Sequence, residues 1–267
     1  MKTIIAPTDF TDVSLNAVNY AADMAQDINA ELLLVHASNF SAQVSESSLT
    51  AGVMYEEEYG TEQLDKVREQ LIERTKNKIN VRVQNVEGVT VDAIEKICNR
   101  EHPFLVVVAT HSPSVIEKWL IQSVTLHAAE HLQYPLLVVP DKSFYRGIKN
   151  VGLACELQHV YEEPVSVLQA FIRTFRASLH LLHIIKPKED RRFLEMMLTR
   201  HRFHEFDPVL HFIEKENIYE ELFSFAKKNA FDILIIMHHH YESSEKSIFK
   251  DMVLHPKMPV MVLQPVS

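Results

Sequence analysis

The chain has 267 residues, 46% of them hydrophobic and 24% charged, with a formal net charge of −9. That length suits one large domain or two small ones, and that composition suits a folded globular protein rather than a disordered one. The acidic balance speaks against nonspecific nucleic-acid binding and against docking on anionic membranes, both of which draw on clustered Lys and Arg.

The two cysteines, Cys98 and Cys155, form no CxxC pair, so a disulfide framework or a thiolate zinc site is not expected. The apolar run at residues 4–6 is interrupted by Pro7 and Asp9 and is too short for a signal peptide. No stretch approaches the roughly 18 apolar residues of a membrane helix. The expected compartment is the cytoplasm.

In chain order, residues 4–6 read as a short buried strand ended by Pro7, Thr8 and Asp9. Thr11 or Asp12 can cap the following helix, in which Leu15, Val18, Ala22 and Ala25 recur at helical spacing. Residues 31–36 form the next strand and complete a βαβ unit, which implies parallel pairing. Residues 37–53, polar and Ser-rich, read as a loop. A long helix follows at 54–78, with Leu64, Val67 and Leu71 inward and its glutamates on a solvated face. Then come a strand at 81–86, a helix at 91–100, a fully apolar strand at 104–108, a helix at 123–131 and a strand at 136–139. The pattern then restarts, with strands at 149–154, 179–183, 209–213, 233–236 and 260–263. Helices are expected between them, at 160–175, 188–202, 219–229 and 247–254.

The restart has a register. Lys2 with Lys149, Asp9 with Glu156 and His36 with His183 share an offset of 147. Further on, residues 104–108 match 232–236 at an offset of 128, so the second half is shorter in its middle. Two α/β domains are expected, at residues 1–142 and 147–267.

Residues 103–124 give strand, loop and helix start, the layout that places ligands at the carboxyl end of a parallel sheet. A phosphate there meets free N–H groups at the positive end of a helix. Yet the loop from 109 to 122 contains no glycine. The segments IIAPTDFTDVSLNAVNYAADMA, LLLVHAS and LVVVATHSPSVIEKWLIQSVTLHAAEHLQYPLLVVP resemble the universal stress proteins, and the repeat makes the chain similar to a tandem member.

That resemblance implies two tandem Rossmann-like domains of the adenine-nucleotide alpha-hydrolase type. Each would be a five-stranded, mostly parallel sheet between helices, and the two would pair through their last strands as an intramolecular pseudo-dimer. It also implies an ATP site in the first domain. Pro7, Thr8 and Asp9 would lie at the adenosine end. Ala109, His111, Ser112, Gln122, Ser123, Val124 and Thr125 would stand along the phosphate loop. Ala109, Ser112 and Gln122 occupy the three glycine positions of the family loop, and Ser123 matches its final Ser/Thr. In the second half Met237, His240, Lys250 and Asp251 fall on that spacing, and Glu156 replaces the early Asp. Glycine lets backbone N–H groups approach phosphate oxygens closely, so both loops read as largely degenerate.

The remaining candidates are histidines and charges. His238 and His240 end a strand and can converge on one face, which opens a zinc reading; the alternative is a polar loop filling a lost nucleotide site. His36 and His183 end equivalent strands and read as hydrogen-bonded scaffold. His201, His204, Asp207 and His211 form a loose group, though Pro208 breaks any common helix. Lys186, Lys188, Arg191, Arg192, Arg200 and Arg202 make a local basic patch. Trp119 reads as capping the degenerate pocket or packing at the pseudo-dimer seam. No Ser-His-Asp order, paired carboxylates or HExxH motif points to an enzyme. The function expected is a stress-response binding or regulatory protein, with unidentified protein partners and a homodimer as its assemblies. An ATP-responsive protein using the first domain, with weak hydrolysis, and a zinc module are the alternatives.

Overall fold

The fold is seen in a computed structural model, which describes residues 1–38, 46–87, 90–110, 119–154, 164–184, 203–213, 218–238 and 243–265. Among the described residues ten strands form one sheet. They are β1 (Thr3–Pro7), β2 (Glu31–Ser38), β3 (Val81–Glu87), β4 (Leu105–Thr110), β5 (Leu136–Pro140), β6 (Asn150–Ala154), β7 (Ser178–Ile184), β8 (Val209–Ile213), β9 (Ile233–Met237) and β10 (Val260–Leu263). Their spatial order is β3-β2-β1-β4-β5-β10-β9-β6-β7-β8. Each half is a parallel five-stranded set, and the order in the second half mirrors that in the first. The halves meet where β5 and β10 pair antiparallel, with Val138 opposite Val260 and Leu136 opposite Val262. The pairing anticipated for these two strands is therefore formed within one chain.

Among the described residues the helices are α1 (Asp12–Asp27), α2 (Glu46–Arg74), α3 (Thr90–Glu101), α4 (Trp119–His131), α5 (Val165–Phe175), α6 (Ile218–Lys228) and α7 (Ser243–Leu254). Apolar residues on the two sheet faces separate into two cores. One gathers the inner faces of α1, α2 and α5, with Ala21, Leu64 and Phe171 as members. The other gathers α3, α4, α6 and α7, with Ile94, Ala129, Phe223 and Val253. Strands buried on both faces read as unbroken apolar runs, as LVVVAT and ILIIM do here.

Four helix starts differ from expectation. Helix α2 begins at Glu46 rather than near residue 54, so part of the Ser-rich stretch is helical. Once a long helix is nucleated, each added residue gains a hydrogen bond, and the polar stretch extends it without needing an apolar face. Helix α4 begins at Trp119 and α7 at Ser243, each a turn earlier than their apolar periodicity suggests. Helix α5 starts only after Pro164, and it ends at Arg176 in a left-handed conformation (φ 53°, ψ 39°). The helix expected at 188–202 and the basic patch within it lie outside the described residues.

Thr11 caps α1: it is extended (φ −69°, ψ 154°) and its hydroxyl accepts from the Ser14 N–H. Asp12 in the first turn suits the positive end of the helix. The connection from β5 to β6 is strapped to α1. Asn16 Nδ2 donates to Ser143 O at 3.1 Å, Tyr145 donates to the Asp27 carboxylate, and Tyr145 packs edge-on against Tyr20 at 5.3 Å. Gly147 within it has φ +89°, a conformation glycine adopts without strain. At the base of the seam Phe104 stacks on Phe171, with ring centroids 6.0 Å apart.

Candidate functional site

The carboxyl ends of β1, β2 and β4 meet the start of α1 on one edge of the first half. Thr8 leaves β1 with its N–H bonded to Val35 O at 2.8 Å. Its hydroxyl lies 3.0 Å from Ser14 Oγ and accepts the Phe10 N–H at 3.0 Å. Asp9 follows, exposed at the sheet edge. Its Oδ1 accepts from Thr11 N at 3.1 Å and Thr11 Oγ1 at 2.6 Å. Partial burial pushes the Asp9 carboxyl up, but the hydroxyls of Ser14 and Thr11 and the Thr11 N–H outweigh it, so Asp9 sits below the ordinary carboxylate range. It is an anion at neutral pH, with both Thr11 bonds on one oxygen. Phe10 takes a positive φ of 65°, rare for an aromatic residue. Its ring lies 4.4 Å from that of His36.

His36 serves this turn from β2. Its Nδ1 is 2.8 Å from Thr8 O. A carbonyl only accepts, so Nδ1 carries the proton and Nε2 is the acceptor of the neutral ring. Backbone of α2 comes close here: a Cβ on Gly60 would lie 2.9 Å from His36 Cδ2 and 2.8 Å from Asn85 Nδ2. Glycine at 60 lets the long helix reach the ends of β2 and β3. The sequence held His36 as scaffold, and this bond is of that kind.

The phosphate end is differently built. Ala109 lies in regular strand geometry, its Cα opposite Val139, so position 109 does not require glycine for its own conformation. Thr125, buried on α4, donates its hydroxyl to Ala109 O at 3.1 Å. That proton ties α4 to β4. Thr110 donates to Leu254 O, at the end of α7, at 3.0 Å. Because α4 begins at Trp119, the Ser123 N–H has the Trp119 carbonyl as its helical partner. Val124 is half-buried on the same helix. His111 and Ser112 lie outside the described residues, as do the side chains of Trp119, Gln122 and Ser123.

In the second half, β9 ends at Met237, buried in the apolar core. His238 follows, its ring 4.8 Å from Phe249 and its Nδ1 3.2 Å from Gln264 Oε1. Gln264 Nε2 donates to Ala129 O on α4 at 2.8 Å. With the amide nitrogen so placed, its oxygen faces His238, and His238 Nδ1 is the donor. Glu156 and His240 lie outside the described residues, and no group of three or more His, Cys, Asp or Glu that could hold a metal occurs among the described residues.

One polar pair was not legible in the sequence. His180 on β7 and His211 on β8 stack at 5.3 Å with Nδ1 and Nε2 3.0 Å apart. The sequence grouped His211 with residues near it in the chain. Its partner comes instead from the neighbouring strand, where His211 stands opposite Leu182 and so lies diagonal to His180. Cys98 is buried in α3, and burial, with the nearby Glu95, pushes its thiol up to about 12, so it is an inert thiol at neutral pH.

Comparison with known proteins places this architecture. The family model for the universal stress protein family matches residues 1–140. A universal stress protein of Methanocaldococcus jannaschii is 30% identical over 143 residues, 52% of this chain and 81% of that protein. One from Mycobacterium tuberculosis is 29% identical over 143 residues, 52% of this chain and 95% of that protein. Among solved structures, a universal stress protein from Archaeoglobus fulgidus superposes with a TM-score of 0.71 at 14% identity, covering 98% of this chain and 96% of that one. One from Pseudomonas aeruginosa gives a TM-score of 0.61 at 13% identity, with 99% and 94% covered. The structural matches extend the shared fold over both halves, and the family-model match rests on the half that carries Asp9 and β4. On the match over residues 1–140, the chain belongs to the universal stress protein family.

Proposed function

We propose that this protein is a cytoplasmic stress-response binding and regulatory module of two half-domains, residues 1–142 and 147–267. Its first half keeps the nucleoside end of an adenine-nucleotide site and has lost most of the phosphate end; its second half holds no working site. It acts by ligand-dependent contact with protein partners rather than by catalysis. No helix among the described residues is long and apolar enough to cross a membrane.

The observation that carries this reading is the contrast between the two ends of one site. At the nucleoside end, Asp9 is exposed, ionised and oriented by Thr11, a rigid acceptor for a ribose or base hydrogen. At the phosphate end, the hydroxyls of Thr110 and Thr125 are spent on carbonyls within the protein. The Ser123 N–H belongs to the helix ladder. A charge-assisted bond is worth about 1.5–3 kcal/mol, so losing several such donors removes most of what a triphosphate adds to a nucleoside. Thermal unfolding of tag-free protein tests the reading. Adenosine should raise Tm in the wild type and not in Asp9→Ala, whereas a shift with Mg-ATP alone would show a working phosphate loop and support the ATP-responsive alternative.

A zinc site at His238 and His240 is the second reading. It is favoured by the bond from His238 Nδ1 to the Gln264 oxygen, the kind of outer hydrogen bond that orients a metal-ligating imidazole. Metal analysis of tag-free protein should find zinc that His238→Gln removes; its absence from the wild type would eliminate this site.

A further inference from the structure

Helix α4 carries a second pair of histidines at its other end. His127 and His131 are both exposed, and their ring centroids lie 4.2 Å apart at 42°. Residues four apart are neighbours on a helix surface, and the helix is held in place from its other side by buried Ala128, Ala129 and Leu132. The rings of His36, His102, His180, His211 and His238 are each bonded to a neighbour. Neither His127 nor His131 has a ring hydrogen bond among the described residues, so their lone pairs are free to coordinate. His131 stands in the last turn, where the negative end of the helix favours a cation.

We propose that His127 and His131 form a bidentate chelate for a late first-row divalent cation, copper(II) foremost. Imidazole nitrogens suit this class, and at a given site of nitrogen and oxygen donors copper(II) binds more tightly than nickel(II) or zinc(II). No third protein ligand joins them among the described residues, so water fills the remaining positions. That gives the open, tetragonal arrangement copper(II) accepts, rather than the closed tetrahedral cage of a structural zinc. Because i and i+4 side chains meet only on a formed helix, the cation binds the folded chain in preference to the unfolded one and stabilises it.

The test is titration of tag-free, full-length protein with copper(II) chloride, read by calorimetry and by electron paramagnetic resonance. The expected result is one preferred equivalent with a tetragonal signal showing coupling to two nitrogens. His127→Gln and His131→Gln should each weaken it by at least the roughly tenfold that even an outer-shell partner costs. The double variant should abolish it, and His238→Gln should leave it intact. Both positions are exposed and Gln is the better helix former, so circular dichroism should show the fold retained. Unchanged binding in the double variant, or loss of binding in His238→Gln, would overturn the proposal.

Discussion

Gly152 marks a close approach of backbone to an aromatic ring in the second half, and replacing it with alanine is a direct test of that core. A Cβ at this position would lie 2.6 and 2.7 Å from Cδ2 and Cε2 of Phe231, and 3.3 Å from Leu182 Cδ1. Carbon contacts settle at about 3.5–4.0 Å, so the ring would have to retreat by about 1 Å. It has little room: Phe231 is 7% exposed, with His180 at 4.7 Å and Phe225 at 6.1 Å between ring centroids. Overpacking of this kind costs about 1–3 kcal/mol, and reduced freedom of the unfolded chain returns about 0.4–1 kcal/mol. An overlap at 2.6 Å with a buried ring belongs in the upper part of that overpacking cost, about 2–3 kcal/mol, so Gly152→Ala should lose about 1–2.5 kcal/mol net and lower Tm by about 2–10 °C. Urea and thermal unfolding followed by circular dichroism measure both. Adding Phe231→Leu should relieve the overlap, so the double variant should lose less than the sum of the two single losses. A Gly152→Ala protein as stable as wild type, or strict additivity with Phe231→Leu, would refute the packing argument.

Two more consequences concern polar groups in each half. Burial pushes His180 and His211 down, and His211 is lowered further by His180. A base depressed on folding is protonated more readily when unfolded. Stability from this pair is thus complete above the unfolded value of about 6.5 and declines as pH falls below it. Leu at both positions should flatten the fall in Tm between pH 7.5 and 5.5; an unchanged slope would place the acid sensitivity elsewhere. In the first half, Thr125→Val should cost about 1 kcal/mol in urea by removing the buried bond to Ala109 O, and no change in the urea midpoint would mean that α4 is held to β4 by packing alone.

The sheet was legible because its physics is local and repeated. The runs LVVVAT and ILIIM admit little but buried strands, and the matched offsets of Asp9 with Glu156 and His36 with His183 predicted a second set in the same order. Thr11 announced the start of α1 because a hydroxyl before an apolar helical period has a specific task there. The start of α2 was hidden, since a polar extension of a long helix carries no apolar signature. The spent hydroxyls of Thr110 and Thr125 were hidden too. A threonine near a phosphate motif looks like a ligand until its carbonyl partner is located, and Leu254 is 144 residues from Thr110. His180 and His211 escaped for the same reason, because parallel register joins residues from different strands. The close approaches at Gly60 and Gly152 were not read from the sequence, because the objects approached, His36 with Asn85 and Phe231, belong to tertiary structure.

The most direct measurement of the central claim is a calorimetric comparison of adenosine with Mg-ATP on tag-free protein. A site anchored at Asp9 with a degraded phosphate end should bind the two with dissociation constants within about tenfold of each other, a difference of about 1.4 kcal/mol. Both should be lost in Asp9→Ala. Binding of Mg-ATP tighter than adenosine by about a hundredfold or more, roughly 2.7 kcal/mol, would mean that the loop still grips phosphate without its glycines, and would contradict the account.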